Sequence, residues 1–480
     1  MAVFFISLLF SYAVTFTGFI VSGDNWAQYH QTVRMLDHGR FSFSSADVRQ
    51  IARENDWGVD SRFLLNKDGK TYSQFYHIGY ATMALPFFAA GRGIKRALGL
   101  TIPADITLWS ANALLFSALC AALLAVMARR VGVRGWAGPL IALAAAFASP
   151  LWMFSDMPFN VVGETLLISA GLVLCLRPVT RLSSAALGLV LVWGVFMRPF
   201  FASAIPAFLF LFGLGLARPE NKPRRRACLT AFFSVALAGA ALWVFYNFTH
   251  FGSVTETGYK QLGADLHFRE PWAGRTADIF LNPMKSPLYF FPLCVLFIPA
   301  FALLIIKKNP LWVFIAAFSL PHVYWMAKIS FWCSEPDLFV RYWLRMVPVV
   351  FLALACAAAG PWPRRRGAAC AAVFVVLALL GFRAQALTVL TSGRAVHDSA
   401  IERIKAARPG TDALKYHDTA GRLLLGATVV AKAQTEALSE PRRFVIFREV
   451  SPPWRRLFLL IPGLAGCLAG LLLFFKKEPA

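Results

Sequence analysis

Twelve apolar runs, most of them close to the length that crosses a bilayer, constrain this chain more than any other feature. They lie near 3–22, 106–128, 136–153, 161–176, 184–197, 200–217, 228–248, 289–306, 311–327, 342–360, 368–382 and 457–475. About 20 apolar residues are needed to span the hydrocarbon core, and helices satisfy their backbone groups internally there. The chain is 58% hydrophobic over 480 residues, which excludes an ordinary soluble fold. The expectation is an all-α polytopic membrane protein of about 12 transmembrane helices, with a large first extracytoplasmic loop and a small α/β outer segment near the C-terminus.

The formal net charge of +23 would admit a nucleic-acid partner if the charge were spread over one face. It is not. With loops assigned alternately to two sides, one side collects Arg129, Arg130, Arg134, Arg224, Arg225, Arg226, Lys307, Lys308, Arg364, Arg365, Arg366, Lys476 and Lys477, against only Glu220 and Glu478. Short loops rich in Lys and Arg stay in the cytoplasm. Both termini are therefore expected inside and the loop after the first run outside, with membrane lipid rather than nucleic acid as the partner of the basic residues. The same rule reads 75–98 as a helix lying in the outer interface, with Pro86 and the basic end Arg92, Lys95, Arg96, because a further span there would invert every later loop. The first run has no basic leader, and Ser22-Gly23-Asp24 is a poor cleavage site, so it is read as a span.

The organisation expected is a transmembrane region over 1–382, its first outer loop at 23–105, a small extracytoplasmic cap at 383–455, and a last helix with its tail at 456–480. Within the loop, a helix is predicted to start near Asp24 and run over Ala27–His38. Ser44-Ser45-Ala46-Asp47 has the form of a second helix start. Asn66-Lys67-Asp68-Gly69-Lys70 has that of a tight turn between extended pieces. The cap carries a helical pattern near 398–408 and strand-like stretches at 429–432 and 443–448.

Ionisable residues gather at the outer ends of the spans, where charge is costly and usually functional. Asp24 opens the first outer loop and fits either a general base or a helix N-cap. Asp156 and Glu164 carry oxygens suited to holding an acceptor or a divalent cation; a turn residue and a helix-end carboxylate are the plainer assignments. Lys70 and the pair Arg341 and Arg345, four apart and expected on one helix face, suit a phosphate, or interfacial snorkelling. Arg198 at an outer helix end fits a partner of Glu164 or of a phosphate. His77 and Tyr76, which follow Lys70-Thr71-Tyr72-Ser73-Gln74, are expected to face the same cleft, and a lone His there is more often a structural hydrogen-bonder than a catalyst. No P-loop, G-x-S-x-G, H-E-x-x-H or dinucleotide fingerprint occurs. A transporter or flippase of lipid-linked glycans is the competing class, and it would place polar groups near the midplane.

Six stretches stand together: Gly23-Asp24-Asn25-Trp26-Ala27-Gln28-Tyr29, Asp68 to Phe75 leading to Leu85-Pro86, Phe154 to Glu164, Tyr246-Asn247 to Gly258-Tyr259, Asn282-Pro283 to Tyr289, and Arg341-Tyr342 to Pro348. As a set they resemble the GT-C superfamily of membrane glycosyltransferases, in particular bacterial relatives of protein O-mannosyltransferases and lipid A aminoarabinose transferases. The resemblance covers about 1–360. It implies that 1–382 is catalytic and takes a sugar from a polyprenyl-phosphate carrier to a glycan, lipid or protein acceptor, with inversion. The expected site is the outer face of a bacterial cytoplasmic membrane. Carried over, Asp24 is the base and Asp156 or Glu164 the second acid. Lys70, Arg341, Arg345 and Arg198 hold the donor phosphate, and Tyr29, Tyr72, His77 and Tyr259 line the cleft. Many relatives have two adjacent acids where this chain has Asp24-Asn25, which leaves the base to Asp24 alone and puts a metal at that position in doubt; no cofactor beyond a divalent cation is implied.

Overall fold

A computed structural model describes residues 1–18, 20, 23–54, 63–74, 77–100, 104–255, 280, 286–328, 341–360, 364–390 and 453–476. The helices are α1 (Ala2–Val14), α2 (Gly23–His38), α3 (Ser45–Glu54), α4 (Gly79–Ala97), α5 (Ala104–Arg130), α6 (Ala137–Phe147), α7 (Pro150–Phe154), α8 (Asn160–Cys175), α9 (Arg181–Met197), α10 (Ile205–Ala217), α11 (Arg225–Phe251), α12 (Pro287–Phe290), α13 (Phe297–Ile306), α14 (Leu311–Lys328), α15 (Val347–Ala358), α16 (Arg364–Leu390) and α17 (Pro453–Lys476). Strands β1 (Phe43–Ser44), β2 (Phe63–Leu65) and β3 (Thr71–Gln74) form one small sheet. Among the described residues five helical stretches are long and apolar enough to cross a membrane, and seven shorter ones are apolar.

The chain divides into two compact units. The first comprises Met1–Thr17, Ser117–Asp156 and Phe268–Ala480. Here α1 packs along α17, where Gly463, Gly466 and Gly470 meet Ser11, Ser7 and Phe4. Spaced three and four apart, these glycines share a face and let two backbones approach closely, as small residues do between helices in lipid. Residues Val347 to Ala355 of α15 are buried throughout. By contrast α16 leaves most of its apolar surface uncovered, with Leu379 at 63% exposure. Such a surface is stable when hydrocarbon, not water, surrounds it.

The apolar run from residue 3 to 21 predicts one helix across its length, but α1 stops at Val14. The polar sequence Thr15-Phe16-Thr17-Gly18 explains the stop. Thr15 Oγ1 and its amide both donate to Tyr12 O, Gly18 adopts φ +72, and Thr17 turns to bond Asp156. Side chains of this type offer the backbone an alternative to helix. The boundary expected at 382/383 also falls inside a helix, because α16 continues to Leu390. Residues 391–452, with the predicted helix near 398–408 and the two strands, lie outside the described residues.

The second unit comprises Gly18–Phe116 and Met157–His267. Its centre is α9, which packs on α8, α11 and α4. The approach of α4 is close: a Cβ at Gly79 would stand 2.6 Å from Met197 N and Phe196 O. Gly79→Val is expected to lower the stability of the detergent-solubilised protein by about 1–3 kcal/mol through overpacking. Gly93→Ala in the same helix, where the added Cβ meets nothing within 4 Å, should be neutral or stabilising by up to about 1 kcal/mol. Equal thermal midpoints for the two variants would contradict that packing.

The sheet order is β1-β3-β2, antiparallel, with Phe43 opposite Tyr72 and Phe63 opposite Gln74. Alternation gives it two apolar faces. Phe43 and Phe63 pack with Ala27 of α2 and Ile51 of α3. Leu64 packs on the other side against Phe196, Tyr246 and Phe251, from α9 and α11. The sheet thus joins α2 to the ends of α9 and α11. The second helix start and the tight turn predicted for this loop are present: α3 begins at Ser45 with Ser44 Oγ and Asp47 bonding reciprocally, and the turn at 66–70 joins β2 to β3 with Gly69 at φ +64. The basic end of α4 is engaged inside the unit, Arg92 pairing with Asp37 and Lys95 Nζ lying 3.5 Å from Asp105 Oδ1.

Candidate active site around Asp24

Asp24 lies within the first turn of α2 and is 3% exposed. Unpaired N–H groups and the positive end of the helix dipole favour a carboxylate there. Ala27 and Gln31, three and seven residues on, share its face, and Gln28 lies beside them. Asn25, Gln28, Gln31 and Thr32 are also buried. A soluble amphipathic helix would bury apolar residues along such a stripe; α2 buries an acid and amides. Ala27 is the apolar exception, and it seats the helix on the sheet.

Around this helix the predicted cleft residues take up different positions. Tyr29 meets Phe88 and Trp109 edge-on at ring separations of 5.6 and 5.5 Å. Burial first, and the nearby Asp105 charge second, push its phenol well above the ordinary range, so it stays protonated. His77 is buried and stacked on Trp243 at 4.3 Å, with Tyr246 5.8 Å away. Tyr72 is half-buried on the α2-facing side of the sheet. Tyr259 lies outside the described residues.

Lys70 is exposed at the hairpin turn. Its amide and that of Thr71 donate to Asp68 Oδ1 at 2.9 Å, and Thr71 Oγ1 donates to Oδ2 at 2.6 Å. Those bonds, the hydroxyl's foremost, hold the Asp68 carboxyl down at about 2. A lowered folded-state value means that the contribution to stability is present above the unfolded value of about 3.9 and is lost as pH falls through about 2. Asp68→Ala is therefore expected to speed amide exchange at Lys70 and Thr71 at neutral pH. Unchanged protection would show that the turn stands without its carboxylate.

Glu164 in the first part of α8 is fully buried, and Arg198 at the C-cap of α9 places Nη1 3.7 Å from Glu164 Oε2. Of the two partners foreseen for Arg198, a carboxylate or a phosphate, the carboxylate is the one beside it.

The remaining predicted residues belong to the first unit. Asp156, 1% exposed, accepts from Thr17 N at 2.5 Å and from Thr17 Oγ1 at 2.8 and 2.9 Å. It thereby fixes the chain just ahead of the Asp24 segment. Arg341 and Arg345 sit in a 3₁₀ turn, Arg341–Met346, and not in an α-helix. At three residues per turn, positions four apart diverge by a third of a turn, which corrects the expected common face. Arg341 is half-buried and donates to Tyr342 OH at 3.0 Å; Arg345 is buried. His322 of α14, which the sequence did not single out, braces this turn. Its Nε2 donates to Tyr342 O at 3.0 Å, leaving Nδ1 as the acceptor facing Arg345 Nη1 at 3.4 Å. Only its place among apolar residues marks it in the sequence. Among the described residues no three His, Cys, Asp or Glu side chains cluster to hold a metal.

No family model matches this chain, and no curated protein does. Among solved structures it is similar to the cryo-EM structure of arabinosyltransferase EmbB from Mycobacterium smegmatis, at 12% identity and a TM-score of 0.38. The match covers 99% of this chain and 40% of that one, so the chain spans less than half the length of that neighbour.

Proposed function

We propose that this chain is an integral-membrane glycosyltransferase, which moves a sugar from a polyprenyl-phosphate carrier to an acceptor at the outer face of the cytoplasmic membrane. The observation that carries the reading is Asp24: a buried acid at a helix N-terminus, on a buried polar stripe, in the unit that contains residues 23–105. The local resemblance to GT-C enzymes supports it. Asp24 takes the proton from the attacking hydroxyl as the glycosidic bond to phosphate breaks. Lys70, Arg341 and Arg345 are the cations that the resemblance assigns to the prenyl phosphate, which is a good leaving group once its charge is met; Arg345 is buried and faces His322, and Lys70 is exposed at the hairpin turn. Asp156 and Glu164 are the supporting acids that the resemblance implies, the one bonded to Thr17 and the other beside Arg198. His77, Tyr29, Tyr72 and Tyr259 supply aromatic and polar walls.

The test is transfer from a labelled polyprenyl-phosphate sugar by the purified protein, with Asp24→Asn alongside. Equal activity in both removes the base. No turnover with any donor, together with measurable lipid flipping, favours a flippase.

A further inference from the structure

Three glutamines of the second unit bury amide atoms without hydrogen-bond partners among the described residues: Gln28 Oε1, and both terminal atoms of Gln31 and of Gln74. Gln28 is 1% exposed and the other two are fully buried. A buried amide left unpaired carries its whole desolvation cost, and native structures keep such groups few. Three in one region call for an explanation.

Their placement supplies one. Gln28 and Gln31 follow Asp24 at the fourth and seventh positions of α2, on one stripe of the helix. In the sheet, Gln74 stands opposite Phe63, on the same face as Phe43 and Tyr72. That is the face packed against Ala27 of α2, and α2 also contacts β3 directly. Both elements thus bring their amides to one side of the sheet, and two of the three share the α2 stripe that carries Asp24.

We infer that Gln28, Gln31 and Gln74 form a subsite for an uncharged sugar carrying neighbouring hydroxyls, adjoining Asp24; this rests on the transferase reading only for calling the sugar a substrate. A primary amide offers a donor and an acceptor side by side. A pair of ring hydroxyls offers the complementary set. Asp24, the one charged residue on this stripe, repels an anionic group on the sugar ring, so a uronate is disfavoured. A site built from buried amides also rejects apolar ligands, which would leave those amides unpaired.

The experiment uses the full chain in detergent without any donor, titrated with the neutral methyl glycosides of mannose, glucose, galactose and arabinose, and with glucuronate as the charged control. At least one neutral glycoside should raise the thermal midpoint, and glucuronate should not. In Gln31→Leu and Gln74→Leu the unliganded midpoint should be unchanged or higher, because an unpaired polar group has gone. Half-saturation should need about tenfold more glycoside. Gln31→Met, closer in shape, serves if the leucine variant does not fold. Absence of any shift with the neutral glycosides, equal half-saturation in the variants, or an equal response to glucuronate would each overturn the subsite. Binding is read without turnover, so the two readings fail separately. Glycoside binding without transfer from any donor sinks the transferase and leaves the subsite. Transfer that is indifferent to the amides does the reverse.

Discussion

Replacing Asp24 with Asn is expected to lower turnover by about 10²–10⁴-fold, the range for loss of a general base. The substitution keeps shape, and Asn is at home near a helix start. Asp24 is 3% exposed in the first turn of α2, so the loss should come without a change in the thermal midpoint beyond about 1 kcal/mol. The fall should appear in kcat more than in KM, because the proposed base would act as the acceptor proton leaves and not in holding the ground state. A variant with normal turnover, or one in which KM alone rises, would reassign Asp24 to binding or to helix termination.

The largest stability effect is expected at Arg198. Its Nη1 lies 3.7 Å from Oε2 of Glu164, whose side chain is wholly buried. Removing one partner of such a pair leaves an uncompensated buried charge, which costs about 3–5 kcal/mol. Arg198→Ala should therefore unfold at markedly lower denaturant. Glu164→Gln added to it should recover most of the loss, since the stranded charge is then gone. If Arg198→Ala costs under about 1 kcal/mol, or Glu164→Gln brings no recovery, the two residues are not coupled. A Glu164→Gln single variant that is stable yet inactive would assign Glu164 to chemistry.

The apolar runs were legible because lipid makes one demand of every span, and composition alone expresses it. The hairpin and the start of α3 were legible because Asn66–Lys70 and Ser44–Asp47 carry their own local bonding. What escaped depends on partners distant in sequence. Thr17 ends α1 by turning to Asp156, far along the chain. Arg341 and Arg345 part company because their segment tightens to a 3₁₀ turn, a difference that residue types do not encode. His322 looks like a stray polar residue until Tyr342 O and Arg345 are seen against it. In the Asp24 region the acid was evident from its position. The amides of Gln28, Gln31 and Gln74 were not, because nothing local separates a buried glutamine from a solvated one.

The uncovered flank of α16 ties the molecule to the thickness of its bilayer. At 1.5 Å per residue its apolar stretch Gly367–Val389, 23 residues, extends about 35 Å, somewhat beyond a hydrocarbon layer of about 30 Å. A helix in that position relieves the mismatch by leaning over or by drawing longer acyl chains around itself. Lipid chain length then becomes a variable of the protein's own energetics, and reconstitution in short-chain lipids should change its unfolding midpoint even where no residue has been altered.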